Sequence, residues 1–240
     1  MRRAGRGRLA AAGVLAVTGM ALAACSSSPP AATAHVTSVD TSGHTRATLR
    51  VLTGTTLLQI GVADFGTGGS LVRVVTPPGA PAALLQTGGS GGDPVVDLSA
   101  SGAPTVTVTL NSRVTWQLDL GGGTTQTVAD LRGGRLAGLA FTAGSSVIDV
   151  ALPSPAGRVP IRLAGGASVF SLSLPSGVQA QVTAGGGAGE VTLEGADHVG
   201  VAGGSVFATP GWTPAVAAFD IDATSGASRI AVEARAPSGS

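Results

Sequence analysis

The side chains whose types and spacing could support catalysis are few. Gly88, Ser90 and Gly92 satisfy the Gly-x-Ser-x-Gly spacing of a nucleophile elbow, in which a strand feeds a sharp turn that opens into a helix. Here the chain continues as Asp93-Pro94-Val95, which does not predict that helix. We therefore interpret Gln86 to Pro94 as a glycine-rich surface loop and expect no serine nucleophile.

The three histidines do not form a metal-binding pattern. His35, His44 and His198 are far apart, the chain has one cysteine, and there is no His-x-x-x-His pair, whereas zinc sites need several ligands at close spacing. Asp197 adjoins His198, but sequence neighbours on a strand point to opposite faces. We expect a solvated loop around His198, and no metal or other cofactor.

Two pairs of carboxylates have a spacing that suits acid–base chemistry or a hard cation. Asp220 and Asp222 lie two positions apart and Glu190 and Glu194 four apart, so each pair falls on one face of a predicted strand. No dense Asp/Asn/Gly calcium loop accompanies them. The favoured interpretation is a solvated outer face. The alternative is an envelope enzyme that processes glycan or peptide, with Asp220 or Glu190 in a groove.

Composition excludes several classes of active site. All 14 basic residues are arginine, and lysine is absent, so a Schiff-base lysine, a P-loop lysine and a Ser-x-x-Lys nucleophile pair are impossible. Charged residues make up only 11% of the chain, which argues against disorder maintained by charge repulsion. The chain is therefore expected to fold and to lack lysine chemistry.

The amino-terminal segment has the zones of an export signal. Arg2, Arg3, Arg6 and Arg8 give a positive start, and residues 9–22 are apolar or small. This run is too short for a spanning helix of about 20 residues. The order predicts a secretory signal peptide over residues 1–24.

The end of this leader, Leu22-Ala23-Ala24-Cys25, resembles the lipobox of bacterial lipoproteins. The resemblance implies cleavage between Ala24 and Cys25 and transfer of a diacylglyceryl group to the Cys25 thiol. Cys25 is the only cysteine, so it has no disulfide partner within the chain, and two or more palmitate-type acyl chains would anchor it stably. The alternative is an ordinary signal peptide with an incidental cysteine. We expect a lipid-anchored protein at the outer face of the bacterial cytoplasmic membrane.

Cleavage of the leader changes the charge balance. Four of the 14 arginines lie in the leader, which leaves 10 arginines against 13 acidic residues, a formal charge of −3. A net negative chain has little electrostatic drive to bind nucleic acid. The expected partners are the membrane, through Cys25, and an unknown envelope protein or glycan. Residues 25–44 are rich in Ser, Pro, Ala and Thr and are predicted to form a flexible tether.

Beyond residue 45, apolar and polar residues alternate with a period of two, which predicts strands with one buried face. In one segment Ile148, Val150 and Leu152 alternate with polar or small residues, and in another Trp116 falls on the apolar side and is predicted to be buried. The segments predicted as strands are 70–76, 104–110, 113–120, 146–152, 158–163, 168–174, 190–194 and 219–222. We expect an all-β fold with almost no helix outside the leader.

Small-residue corners recur between these segments. They begin at Gly121, Ala143, Ala164, Ala184, Ala202 and Thr224. A period near 20 residues with glycine at the corners predicts coils wound one upon another, each burying its apolar face against its neighbours. We expect a β-solenoid-like domain over residues 111–236, an irregular β segment or subdomain over 45–110, and a tail over 237–240.

Trp212 lies in a loop signature, Thr209-Pro210-Gly211-Trp212-Thr213-Pro214. An exposed tryptophan can stack on a sugar ring or anchor a protein partner. It can equally cover the open end of a solenoid, whose terminal apolar face needs protection. Trp212 is thus a candidate binding residue, with an end cap as the favoured interpretation.

These features together resemble a known family. The run from Thr115 to Gly134, the repeated Ala-Gly corners, Leu152-Pro153, Leu174-Pro175 and residues 185–193 look like the toastrack-type adhesin-like domain of bacterial envelope proteins. The resemblance spans roughly residues 110–235 and implies a solenoid-like array of short strands, but no catalytic residue. We expect a non-catalytic lipoprotein that presents this domain for binding or scaffolding. Besides the envelope enzyme, an extracytoplasmic sensor that modulates a membrane signalling protein is a further alternative.

Overall fold

The computed structural model describes residues 33–89, 92–214 and 217–235, which form two large sheets. The strands are β1 His35–Asp40, β2 Arg46–Val51, β3 Thr55–Ala63, β4 Ser70–Thr76, β5 Leu84–Gly88, β6 Val95–Ser99, β7 Thr105–Asn111, β8 Thr115–Leu120, β9 Thr124–Asp130, β10 Arg135–Phe141, β11 Ser145–Ala151, β12 Arg158–Leu163, β13 Ala167–Leu174, β14 Gln179–Ala184, β15 Ala188–Leu193, β16 Ala196–Val201, β17 Ser205–Ala208, β18 Ala218–Ala223 and β19 Ala227–Ala234. Helix is absent from the described residues, and they accordingly contain no helix able to cross a membrane. The all-β prediction is confirmed.

Each coil of the solenoid contributes one strand to each sheet. The coils are β2/β3, β6/β7, β8/β9, β10/β11, β12/β13, β14/β15 and β18/β19, whose first strands lie in a nine-stranded sheet and second strands in a ten-stranded sheet. Neighbouring coils pair through parallel strands. Alternate side chains of both sheets point inward and form one continuous hydrophobic core. The solenoid-like prediction is therefore confirmed.

The order of the stack differs from the order of the chain at both ends. The first coil, β2/β3, lies between β6/β7 and β8/β9, and the last coil, β18/β19, lies between β12/β13 and β14/β15. The end rungs, β4/β5 and β16/β17, run in reverse and pair antiparallel with their inner neighbours. A corner period of about 20 residues cannot reveal this order, because it reports spacing along the chain and not which coils touch.

Two predictions at the amino-terminal side were wrong. β1 lies inside the predicted tether of residues 25–44: it pairs with β4 from His35 to Asp40, and Val39 packs against the core. β5 overlaps the predicted loop Gln86 to Pro94, because residues 84–88 pair antiparallel with β6. Local composition missed both strands, since a long-range partner stabilises each one. The coils within residues 45–110 share the core of the later coils.

Glycine corners along one long edge let successive backbones touch. A Cβ at Gly122 would lie 2.0 Å from the Thr53 carbonyl oxygen, and one at Gly165 would lie 2.1 Å from that of Ala143. Backbone hydrogen bonds join successive corners. The Thr55 amide donates to the Gly123 carbonyl (3.1 Å), the Thr124 amide to the Gly144 carbonyl (3.2 Å) and the Ser145 amide to the Gly166 carbonyl (3.0 Å). Only glycine fits at positions 122 and 165, because any side chain there would collide with the backbone of a neighbouring coil. We call this side of the solenoid the glycine edge.

Asn111, at the end of β7, ties the irregular first coils to the regular stack. Its side-chain Nδ2 donates to the carbonyls of Gly66 and Ser70, both at 3.0 Å, and its Oδ1 accepts the Arg113 amide at 3.0 Å. The Trp116 indole donates to the Asn111 carbonyl at 3.0 Å. Trp116 is 1% exposed, as predicted. The buried side-chain amide of Asn111 thus supplies hydrogen-bond partners to backbone groups of the loop before β4 and of the turn that leads into β8.

The glycine edge can be tested with two matched substitutions. Gly122→Ala should lower the free energy of unfolding by roughly 1–3 kcal/mol, because the new methyl group overlaps the Thr53 carbonyl and the coils must separate. In the control, Gly144→Ala, the nearest atom to the added Cβ is 3.6 Å away, so the change should be within about 0.5 kcal/mol. Urea unfolding of both variants measures the difference, and equal stabilities would contradict tight corner packing.

Candidate binding surfaces

Three of the four carboxylates singled out as acid–base candidates are paired with arginines on neighbouring coils. The ion pairs are Asp220 with Arg158 (3.2 Å), Asp222 with Arg162 (4.0 Å) and Glu190 with Arg229 (3.6 Å). In each case the two residues are near or direct partners in adjacent strands. The pairs therefore match the register of the stack, and they place a counter-charge beside each acid.

Glu190 and Asp220 face away from each other. Glu190 belongs to the ten-stranded sheet and Asp220 to the nine-stranded sheet, and their sequence neighbours Val191 and Ile221 are fully buried in the core between the sheets. The two carboxylates therefore point outward from opposite sides. Glycoside hydrolysis needs two carboxyl groups about 5–10 Å apart, and this arrangement does not supply that pair.

Glu194 does not share the face of Glu190, which corrects the sequence prediction. β15 ends at Leu193, and Glu194 and Gly195 form the turn to β16 with positive φ values of 48° and 79°. Two central residues with positive φ fit a tight hairpin turn. The predicted pair is thus split between a strand and a turn. No group of three or more potential metal ligands occurs in the part of the chain that the structure describes.

Exposed Asp–Arg pairs mark the edge opposite the glycine corners. Arg113 donates to both carboxylate oxygens of Asp64, at 2.7 and 2.8 Å, and these bonds, with the Gly66 amide, lower the pKa of Asp64 to about 2. Hydrogen bonds from Arg132 likewise lower the pKa of Asp130. Both acids stay ionised through neutral pH. Because the pairs are exposed, their effect on stability is small.

Trp212 lies on the side of the solenoid, so the favoured end-cap interpretation was wrong. Its ring lies against the guanidinium of Arg158, 5.1 Å from the ring centroid, and β12, which carries Arg158, is an inner strand. The end rung is instead closed by His198 and Phe207, whose ring centroids are 4.4 Å apart. His198 therefore lies on a strand, β16, and not in the expected loop.

The loop that carries Trp212 is fixed to β14 by hydrogen bonds. Thr209 Oγ1 donates to Gln179 Oε1 at 2.8 Å and accepts the Ala180 amide at 3.0 Å, and the Trp212 amide donates to the Thr209 carbonyl at 3.1 Å. We call Trp212, Arg158, Asp220 and Gln179 the Trp212 cluster. An aromatic ring beside polar groups that form hydrogen bonds suits a sugar or a peptide.

Sequence reasoning missed a row of hydroxyl groups beside the glycine edge. Its members are Thr56, Thr125, Ser146, Ser168 and Ser228, each the second residue of a strand in the ten-stranded sheet and each exposed. The five strands are consecutive neighbours, so the hydroxyl groups repeat about every 4.8 Å. Two open grooves of about 600 and 610 Å³ lie along this edge and are lined by uncharged residues. The signal in the sequence is a Ser or Thr two positions after the last corner glycine.

Some candidate residues lie outside the described residues. Ala24 and Cys25 belong to the undescribed amino-terminal segment, and Ser90 lies in the short gap at residues 90–91. Lipidation and cleavage therefore remain predictions.

Comparisons with known proteins identify the fold and not the family. No protein-family model matches the chain, and no curated protein matches it. Among solved structures, a Clostridium sporogenes protein described as a "putative cell adhesion protein" superposes with a TM-score of 0.63 and 16% sequence identity, covering 85% of this chain and 100% of that one. At this identity the likeness establishes the fold, which agrees with the adhesin-like resemblance of the sequence, and assigns no site residue.

The contact between Trp212 and Arg158 can be tested by fluorescence. Arg158→Ala should shift the tryptophan emission to the red, because removal of the guanidinium exposes the Trp212 ring to water, whereas buried Trp116 should not change. Arg162→Ala removes an equivalent pair with Asp222 but touches neither tryptophan, so its spectrum should match the wild type. Both variants should lose less than about 1 kcal/mol of stability. An identical spectrum for Arg158→Ala would contradict the contact.

Proposed function

We propose that this protein is a lipid-anchored envelope protein that displays a rigid, non-catalytic β-solenoid for adhesion. The observation that carries this proposal is the fold: a single stack of coils whose architecture matches, over the full length of that chain, the protein of Clostridium sporogenes whose name refers to cell adhesion. A long stack with one continuous core suits display, since it holds its outer faces at fixed positions.

The surface chemistry supports binding through broad, weakly charged faces. The outer carboxylates Asp220, Asp222 and Glu190 each have an arginine as counter-charge, so they are poor candidates for a free catalytic acid. The Trp212 cluster offers one aromatic contact point, and the glycine edge offers a neutral groove with exposed hydroxyl groups. These surfaces are suited to an extended partner, such as an envelope glycan or protein, rather than to a small enclosed substrate.

The anchor that we propose is lipid on Cys25. The leader, the lipobox-like residues and the absence of any other cysteine support this assignment. Residues 26–34 are then all that separates the lipid from β1, which would keep the solenoid close to the outer face of the cytoplasmic membrane.

Lipid labelling tests the anchor. In cells supplied with radioactive palmitate, the wild-type protein should be labelled and should partition into the detergent phase, whereas Cys25→Ala should do neither, because the thiol that receives the diacylglyceryl group is gone. Ser28→Ala, in the same segment, is the matched control and should behave as the wild type. An unlabelled wild-type protein would exclude the lipoprotein assignment.

Crosslinking in intact cells then tests the binding role with the same variants. Recovery of one envelope protein or glycan with the wild type and Ser28→Ala, but not with Cys25→Ala, would support membrane-localised binding. Recovery of nothing specific from labelled, membrane-bound protein would contradict stable binding while leaving the anchor in place.

A further inference from the structure

The β16/β17 end of the solenoid presents two strand edges on one rung. β16 is the last strand of the ten-stranded sheet and β17 the last of the nine-stranded sheet, and they pair with β15 and β14, the two strands of one coil. Neither ladder shows a shift in register, and Gly200 within β16 has a positive φ of 67°. Among the described residues, no strand lies beyond β16 or β17. The two sheets therefore end on the same rung, at the same level along the solenoid.

This end lacks several of the features that usually protect edge strands. Such edges tend to be very short or to carry charged side chains, proline or a bulge. β17 has only four residues and β16 carries Asp197, but neither strand contains lysine, arginine or proline, and neither ladder has a bulge. Val199 is 81% exposed and Val206 is 54% exposed, one beside each edge. His198 and Phe207 lie between the two strands with their ring planes tilted by 31°, and Val201 and Phe207 pack against the end of the core.

At the opposite end, the two sheets stop at different levels. β1 extends only the ten-stranded sheet, one strand beyond the rung that contains β5. Its pairing with β4 is interrupted by a bulge between Val39 and Asp40, and Thr37 Oγ1 donates to the Ala83 carbonyl on the way to β5, at 3.1 Å. Because its two sheets end at different levels, this end cannot extend both of them against a flat partner.

We propose that the β16/β17 end binds the same end of a second copy of this protein. A two-fold axis perpendicular to the solenoid places β16 antiparallel to its counterpart and β17 antiparallel to its own, so that both sheets continue across the contact. A single extended peptide would satisfy only one of the two edges and leave the rings between them exposed. β16 carries one acidic side chain, Asp197, whose Oδ1 accepts the Thr192 hydroxyl at 2.8 Å, and no arginine lies on either strand.

The size of this surface makes the contact weak between isolated molecules. A rung of one six-residue and one four-residue strand presents a face of roughly 20 by 20 Å, or about 400 Å² from each copy. The total of about 800 Å² is below the roughly 1,200 Å² of stable interfaces. Many anchored copies acting together would raise the overall strength without any new contact. This multivalent step rests on the proposed lipid anchor, which would hold many copies on one surface.

Sedimentation of residues 26–240, which include the compact unit Ala32–Ser240, tests the contact. The average mass of the wild type should rise from one copy towards two between roughly 10 µM and 1 mM. The double variant Val199→Lys/Val206→Lys should dissociate at least tenfold more readily, because antiparallel pairing brings the introduced charges close together. Val36→Lys, at an equally accessible position on β1 (61% exposed), is the matched control and should associate as the wild type does.

Four outcomes would overturn the proposal. Three of them are a wild type that remains a single copy throughout, a dimer that survives the double variant, and association that Val36→Lys abolishes. The fourth is the formation of open polymers larger than two copies, since they require contact between unlike ends. If the wild type remains a monomer while palmitate labelling and crosslinking succeed, only the proposed contact between two copies is excluded. The adhesion proposal would then still stand.

Discussion

The close approach of backbones at the glycine edge is the constraint on which the rest of the structure depends. Strands in neighbouring coils pair only if their corners also stack about 4.8 Å apart, and at Gly122 and Gly165 even a methyl group would overlap a carbonyl oxygen. With the corners in contact, the inward side chains of every coil meet in one core. The outward residues then fall into rows, which sets the ion pairs and the line of hydroxyl groups.

This construction explains why the candidate residues in the described part of the chain lie on outer faces of the solenoid. Outward side chains of the two sheets point in opposite directions, so acids on different sheets do not converge, and several acids on one sheet meet arginines of a neighbouring coil, as Asp220 meets Arg158. Chemistry that remains available is distributed along the length of the stack. The two ends differ. At one end β1 extends only the ten-stranded sheet, whereas at the other end both sheets stop on the β16/β17 rung. This difference gives the solenoid a direction.

The sequence predicts the regular part of this structure and not its exceptions. Alternation such as Ile148, Val150 and Leu152 identifies a strand because burial of one face is a local property, and corner glycines reveal the coils. β16 alternates poorly, because nearly all of it is exposed, so no local pattern marks it. The insertion of β18/β19 beside β12/β13, and the contact of Trp212 with Arg158, join residues far apart in the chain. Such contacts depend on the order of stacking, which the period does not encode.

Disulfide trapping measures that stacking order directly. In a Cys25→Ala background, the pair Gln59→Cys and Val128→Cys occupies directly opposed positions on β3 and β9, where a Cα separation near 4.8 Å permits a disulfide. The pair Thr107→Cys and Val128→Cys lies on β7 and β9, which β3 separates, at about 9.6 Å, too far for a bond. Only the first pair is expected to oxidise rapidly. Oxidation of the second pair in place of the first would show that the coils follow chain order and would contradict this stacking order.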